Sequence, residues 1–193
     1  MGAIFQSLGR TVIAGIVLVV IMLGIAGTFG KMDHAWATFF IRWLHVLSGV
    51  MWIGLLWYLN FVQIPSMPKI PDEQKPAISK VIAPEVLFWF RWAALATVVT
   101  GLLVATMSGY VKVLFTFQGP YQAIAIGMWL GIIMAFNVWF IIWPNQKKAL
   151  GIVVVEAAQK AAAARLAMLT SRANTMLSIP MLYCMVAQQN GGL

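Results

Sequence analysis

Residues Ile41–Gln63 read IRWLHVLSGVMWIGLLWYLNFVQ. The run is long enough to cross a bilayer and apolar almost throughout. Yet it carries Arg42, His45 and Asn60. On a helix, residues three, four and seven apart share a face, so Arg42, His45, Gly49, Trp52, Leu56 and Asn60 form one stripe. Leu, Val, Met, Ile and Phe make up most of the remaining surface. A cation and an imidazole at membrane depth must face protein, a cofactor or water, not lipid. That requirement makes the segment part of a helical bundle rather than a lone anchor.

The rest of the chain agrees. Of 193 residues, 62% are hydrophobic and only 9% charged, too little polar surface for a soluble domain of this size. The expected fold is an all-α integral membrane protein, a bundle of five transmembrane helices at about 11–30, 36–62, 84–110, 121–144 and 174–189. Four are long. The fifth continues from a cytoplasmic amphipathic helix, VEAAQKAAAARLAMLTSRAN, with Pro180 as a kink inside it. Residues 63–83 and 145–173 are expected as cytoplasmic loops. The first loop, with its prolines at IPSMPKIPDEQKP, reads as an ordered, extended connection. The first span is too long for a signal sequence and is expected to be retained. Residues 1–193 thus read as a single transmembrane domain.

Orientation follows from Lys and Arg. With a cytoplasmic N-terminus, Arg10, Lys69, Lys75, Lys80, Lys147, Lys148, Lys160, Arg165 and Arg172 lie inside, against Lys31 and Lys112 outside. The expected location is a bacterial inner membrane, with the C-terminus periplasmic. The net charge of +8 is spread between apolar segments rather than along one stripe, so nucleic acid is not expected as a partner. The single cysteine, Cys184, excludes an internal disulfide, and the absence of CxxCH excludes covalent c-type haem.

Two groups of residues could carry chemistry. The first is His45 with Arg42, Gly49 and Trp52. A neutral imidazole in an apolar bundle suits haem iron, Gly49 leaves room for a flat macrocycle, and Arg42 could pair with a propionate or snorkel to the surface. His45 could equally bond a neighbouring helix. The only other histidine, His34, lies too far along the chain to oppose it, which leaves a methionine or an open position on the iron. The second group lies toward the cytoplasmic side. Arg91, in PEVLFWFRWAALATVVTG, needs a partner, and Glu85, Asn60, Asn137 and Asn174 are the candidates. A polar clamp between helices and an anion site are both readings of that cluster. In MAFNVWFIIWPNQKK, Trp139, Trp143, Pro144 and the lysines read as an interfacial anchor closing the helix. Met176, Met181 and Met185 read as packing residues.

Four stretches taken together resemble the membrane domain of the urate hydroxylase PuuD family: RWLHVLSGVMWIGLLWYLNFVQ, PEVLFWFRWAALATVVTGL, MAFNVWFIIWPNQKK and SRANTMLSIPMLYCM. The first also looks, more faintly, like the histidine-bearing helix of the HemJ and CopD families. The resemblance implies an oxidoreductase module that passes electrons to a cytochrome c, with His45, Arg91 and Asn137 carrying over from the family's motifs. The fused cytochrome c has no counterpart here, and Ala173, Gln188, Gln189 and Asn190 stand where the family's pattern favours histidine. The expectation is therefore a haem b module working with a separate periplasmic cytochrome c, or a silent accessory subunit of a larger membrane complex.

Overall fold

A computed structural model describes residues 2–117 and 119–192, which are helical nearly throughout, with no strand among them. The chain divides into two compact units, residues 1–40 and 41–193. Five long helices organise it: α1 (Leu8–Ile25), α2 (His34–Lys69), α3 (Lys75–Met107), α4 (Gly119–Ala149) and α5 (Ala157–Asn190). The first four are long and apolar enough to cross a membrane. In α5 that character is confined to the second half, because Lys160, Arg165 and Arg172 occupy the first. The chain is therefore an all-helical membrane protein.

In the first unit, α1 is apolar on every face beyond Arg10 and Thr11 in its first turn. It ends at Gly27, whose φ of +65° is the left-handed conformation that glycine adopts without a Cβ clash. The unit also holds the start of α2, where Trp36 stacks on Phe40 at 5.3 Å.

The second unit contains the rest of α2 with α3, α4 and α5. Small residues every fourth position let these helices approach. Ala93, Thr97, Gly101 and Ala105 form such a row on α3, and Ala123, Gly127, Gly131 and Ala135 form one on α4. A Cβ on Gly127 would lie 3.0 Å from Cβ of Cys184 and 3.5 Å from the Met181 carbonyl, so α4 meets α5 almost backbone to backbone. The α5 face against it is also small: Ala163, Ala167, Ser171, Ser178, Cys184 and Ala187 are all buried.

The helices run further than their prolines suggest. The extended connection expected over 63–83 is helical to Lys69 and again from Lys75, leaving only a short turn between them. There Lys75 pairs with Asp72 and holds its carboxyl below the usual carboxylate range. Pro65, Pro68 and Pro76 each sit in the first turn of a short helical piece, where a missing N–H costs nothing. The expected stop at Pro144 is likewise passed, since α4 continues to Ala149. The device that absorbs the prolines is a widened π-turn. Three occur among the described residues, at Tyr58–Gln63, Ile78–Ile82 and Asn137–Ile142. Each ends two residues before a proline: Pro65, Pro84 and Pro144. A proline ring crowds the carbonyl four residues back, and the extra residue in the turn moves that carbonyl aside. Pro180 lies inside α5 without such a turn.

Candidate functional site

His45 is held by α3. Its Nδ1 lies 2.9 Å from the carbonyl oxygen of Thr97 and 3.3 Å from Oγ1 of Thr100. A carbonyl only accepts, so Nδ1 carries the proton and donates. In the neutral ring the lone pair is then on Nε2, which has no hydrogen-bond partner among the described residues. The Thr100 hydroxyl donates to Ala96 O at 2.6 Å, and the Thr97 hydroxyl to Ala93 O at 2.7 Å. Both threonines are therefore tied back onto their own helix and present α3 as a rigid acceptor.

The ring fits because Gly101 has no side chain. A Cβ there would stand 2.9 Å from Cε1 of His45 and 3.2 Å from Nδ1. Gly49, expected to make room for a ligand, instead faces Thr97 at ordinary contact distance, 3.9 Å from a built Cβ to Cγ2. The glycine that shapes this site is on the neighbouring helix. Its signal was present as the fourfold small-residue row in AALATVVTGLLVA.

Beside His45 lies a cavity of about 50 Å³, lined almost wholly by apolar atoms of Trp52, Gly101, Met128, Gly131, Met181 and Met185, among others. Trp52 is 1% exposed, and its Nε1–H is buried without a partner among the described residues. A buried orphan donor in a cavity asks for an acceptor from outside the chain. Arg42 is near enough to act electrostatically on His45 and on Tyr110, whose phenol burial pushes up.

The second expected cluster splits. Asn137 donates to Asn174 at 2.8 Å, and Asn174, fully buried, donates to Met134 O at 2.9 Å. Asn60 reaches the same helix three residues earlier, donating to Ser171 at 2.8 Å, and Trp57 donates to Ser178 at 3.0 Å. These bonds stitch α2 and α4 to one face of α5. Arg91 takes no part in them. Its guanidinium lies 3.9 Å above the Trp143 ring and 5.4 Å from Phe88, while Glu85 accepts from Trp89 Nε1 at 3.0 Å. Glu85 and Arg91 stand six residues apart, nearly two turns and on different faces of α3, and the aromatic rings at this end of α3 and α4 supply the π-face instead. Trp139 adds a bond from Nε1 to the Arg91 carbonyl at 3.2 Å and an edge contact with Trp92. The cluster is thus a helix clamp beside an aromatic cation cradle.

Together these features define a polytopic membrane protein with a histidine anchored inside its helical bundle. Residues 102–191, 90 of the 193, match the model of the urate oxidase N-terminal family. The match spans the end of α3, α4 and most of α5, and includes Asn137, Asn174 and the three methionines at the cavity; the segment bearing His45 and Arg91 precedes it. No curated protein and no solved structure matches the chain.

Proposed function

We propose that the chain is the membrane-embedded module of an oxidoreductase in a bacterial inner membrane. In this reading His45 holds a b-type haem, and a periplasmic cytochrome c exchanges electrons with it. α5 is the fifth span, the N-terminus is cytoplasmic and the C-terminus periplasmic. The observation that carries the reading is the bond from His45 Nδ1 to the Thr97 carbonyl. Histidines that ligate metals characteristically donate their other N–H to a carbonyl or carboxylate, which fixes the tautomer and orients the ring.

The donor atoms present suit such a group, but the cavity beside them does not hold one as it stands. His45 offers Nε2, Gly101 admits the ring, and Trp52 offers an unused N–H. The cavity itself is smaller than the several hundred Å³ of an ordinary ligand site. Two features give way. The methionines lining it are unbranched and adaptable, and α2 has no buried residue between Ile41 and Met51. When bound, a haem supplies one-electron chemistry. The chain's part is to bind and orient it: His45 as ligand, Thr97 holding the imidazole, Arg42 placed for a carboxylate and the apolar lining excluding water.

The test is the visible spectrum of the purified protein, oxidised and dithionite-reduced, beside His45→Ala. The expected result is a Soret band with b-type reduced peaks, absent from the variant. A featureless spectrum from gently extracted protein sinks the reading. The small cavity favours one alternative, a silent accessory subunit of a larger membrane oxidoreductase complex. Stable co-purification with such a complex in native detergent, without haem in this chain, is its signature.

A further inference from the structure

The aromatic cation cradle around Arg91 has an apolar groove beside it, and the two share a wall. We propose that together they bind one phospholipid with an anionic headgroup, its phosphate on Arg91 and Lys147 and an acyl chain in the groove. Such a site does not require haem.

The cradle has cations and lacks an anion. The Arg91 guanidinium stands 3.9 Å from the centre of the Trp143 ring, and the Lys147 ammonium 5.6 Å from it. Like charges gathered on one ring repel. The ion pair between Lys75 and Asp72 includes neither, and no other carboxylate among the described residues pairs with them. Glu85 accepts from Trp89 instead. The indole occupies the face of the guanidinium and leaves its N–H edge, which makes no hydrogen bond among the described residues. A guanidinium edge beside an ammonium suits a phosphate, which accepts from both and cancels their repulsion.

The groove encloses about 380 Å³ between α3 and α4, lined by Leu95, Val98, Ile132, Phe136, Trp139 and Phe140 among others. That volume falls in the range of ordinary ligand sites. Phe136 and Phe140 stack at 4.8 Å and are 54% and 67% exposed, so the groove opens on the outer surface of the bundle. Its side chains are apolar apart from the Trp139 N–H, and that group is taken by the Arg91 carbonyl.

Trp139 is the shared wall. It lines the groove, bonds the Arg91 carbonyl at 3.2 Å and meets Trp92 edge-on at 5.3 Å. From that contact Leu95 and Val98 continue along α3 at helical spacing, and Phe136 and Ile132 lead the same way along α4. Trp143 and Lys147 lie in the opposite direction. Cations therefore cap one end of an apolar groove that runs about 10 Å along the helices. This is the pattern of an anionic amphiphile. Free phosphate has no use for the groove, and a neutral lipid has little for the cations. In the orientation proposed above, the cations meet the cytoplasmic leaflet, whose surface potential is negative.

The experiment uses the full chain in detergent. It measures lipid retained per chain by native mass spectrometry, and the temperature at which the buried Cys184 becomes reactive toward a thiol reagent. The probes are dioleoylphosphatidylglycerol, dioleoylphosphatidylcholine and inorganic phosphate. Wild type should bind the anionic lipid roughly tenfold tighter than the zwitterionic one, with a matching rise in the thiol midpoint. Phosphate alone should produce no rise. Arg91→Gln/Lys147→Gln should lose the preference. Lys147→Gln alone, which breaks no hydrogen bond among the described residues, should lose part of it. Leu95→Trp fills the groove, keeps both cations and should lose binding of the anionic lipid. Without lipid, Lys147→Gln and Leu95→Trp should keep thiol curves close to wild type, which shows that they fold. Equal retention of the two lipids by wild type overturns the proposal. So does a preference that survives removal of the cations, binding unchanged by Leu95→Trp, or a rise produced by phosphate alone.

Discussion

The two halves of α2 within the second unit have nearly the same composition and opposite fates. From Ile41 to Met51 no residue is buried. From Trp52 to Leu59, Trp52, Ile53, Leu56 and Leu59 are, two of them at 1% exposure or less. Hydrophobicity does not make the difference, since both halves are apolar and membrane lipid solvates either equally well. The neighbours do. At the Asn60 end, α5 offers Ser171 and Ser178, small polar residues that let backbones close and accept bonds from Asn60 and Trp57. At the His45 end, α3 offers one carbonyl and a glycine, with a cavity beside them. One end is a closed seam, the other an apolar lining beside an imidazole that α3 holds by its Nδ1. Stability should therefore reside at the seam, and cofactor chemistry at the lining.

The harshest way to break that division is Gly127→Val. Its Cβ would press on Cβ of Cys184 at 3.0 Å and on backbone behind it, so α4 and α5 must part. Overpacking of this kind costs about 3 kcal/mol. Cys184 is the chain's single cysteine and is buried, so its reactivity toward a thiol reagent on heating reads the effect directly. The expected outcome is a large drop in the temperature at which the thiol becomes exposed. An unchanged curve would mean that the seam is not the stable part.

Asn174→Leu comes next. It leaves the half-buried Asn137 amide donor and the Met134 carbonyl without their Asn174 partner, at a cost of about 2 kcal/mol. In the double variant Asn137→Leu/Asn174→Leu the Asn137 donor is no longer orphaned, and part of the loss should return. Additive losses in the same thiol assay would show that the two asparagines do not act as a pair.

Gly101→Ala moves the attack to the other end. The new methyl would stand 2.9 Å from the imidazole, and the ring can shift because no residue between Ile41 and Met51 on α2 is buried. The expected stability loss is about 1 kcal/mol or less, yet the haem absorbance that the proposed reading assigns to His45 should fall sharply. Full absorbance in this variant would separate the ring's position from the binding of the group.

How much of this contrast the sequence revealed depends on which contacts were local. The stripe through Arg42, His45, Trp52 and Asn60 was legible because helical period places those residues on one face. The pairing of Asn137 with Asn174 was within reach for the same reason, both being polar in apolar surroundings. Thr97 and Gly101 were not found, because each acts only through its distance to a residue on another helix. The fourfold spacing of small residues on α3 and α4 was the available signal. The π-turns were hidden for a different reason. One extra residue in a turn leaves hydrophobic period almost unchanged, so a proline read as a break when it marked a widened turn two residues earlier.

Arg91 is where the sequence-level expectation and the structure differ most, and it gives the smallest predicted effect. A guanidinium at that depth was expected to need Glu85 or an asparagine. It lies instead on the ring of Trp143, with Lys147 over the same ring at 5.6 Å. Two cations sharing one indole suit an interfacial position, where water and lipid headgroups serve the remaining N–H groups. Cation–π contacts at such sites contribute about 0.5–1 kcal/mol. Arg91→Gln should therefore shift the thiol-exposure midpoint less than Asn174→Leu does, and leave untouched any absorbance that depends on His45. Its clearest mark should be a change in tryptophan fluorescence from Trp143. If Arg91→Gln instead destabilises more than Asn174→Leu, the guanidinium is doing what the asparagines were assigned. The boundary between seam and cradle would then have to be redrawn to put Arg91 inside the seam.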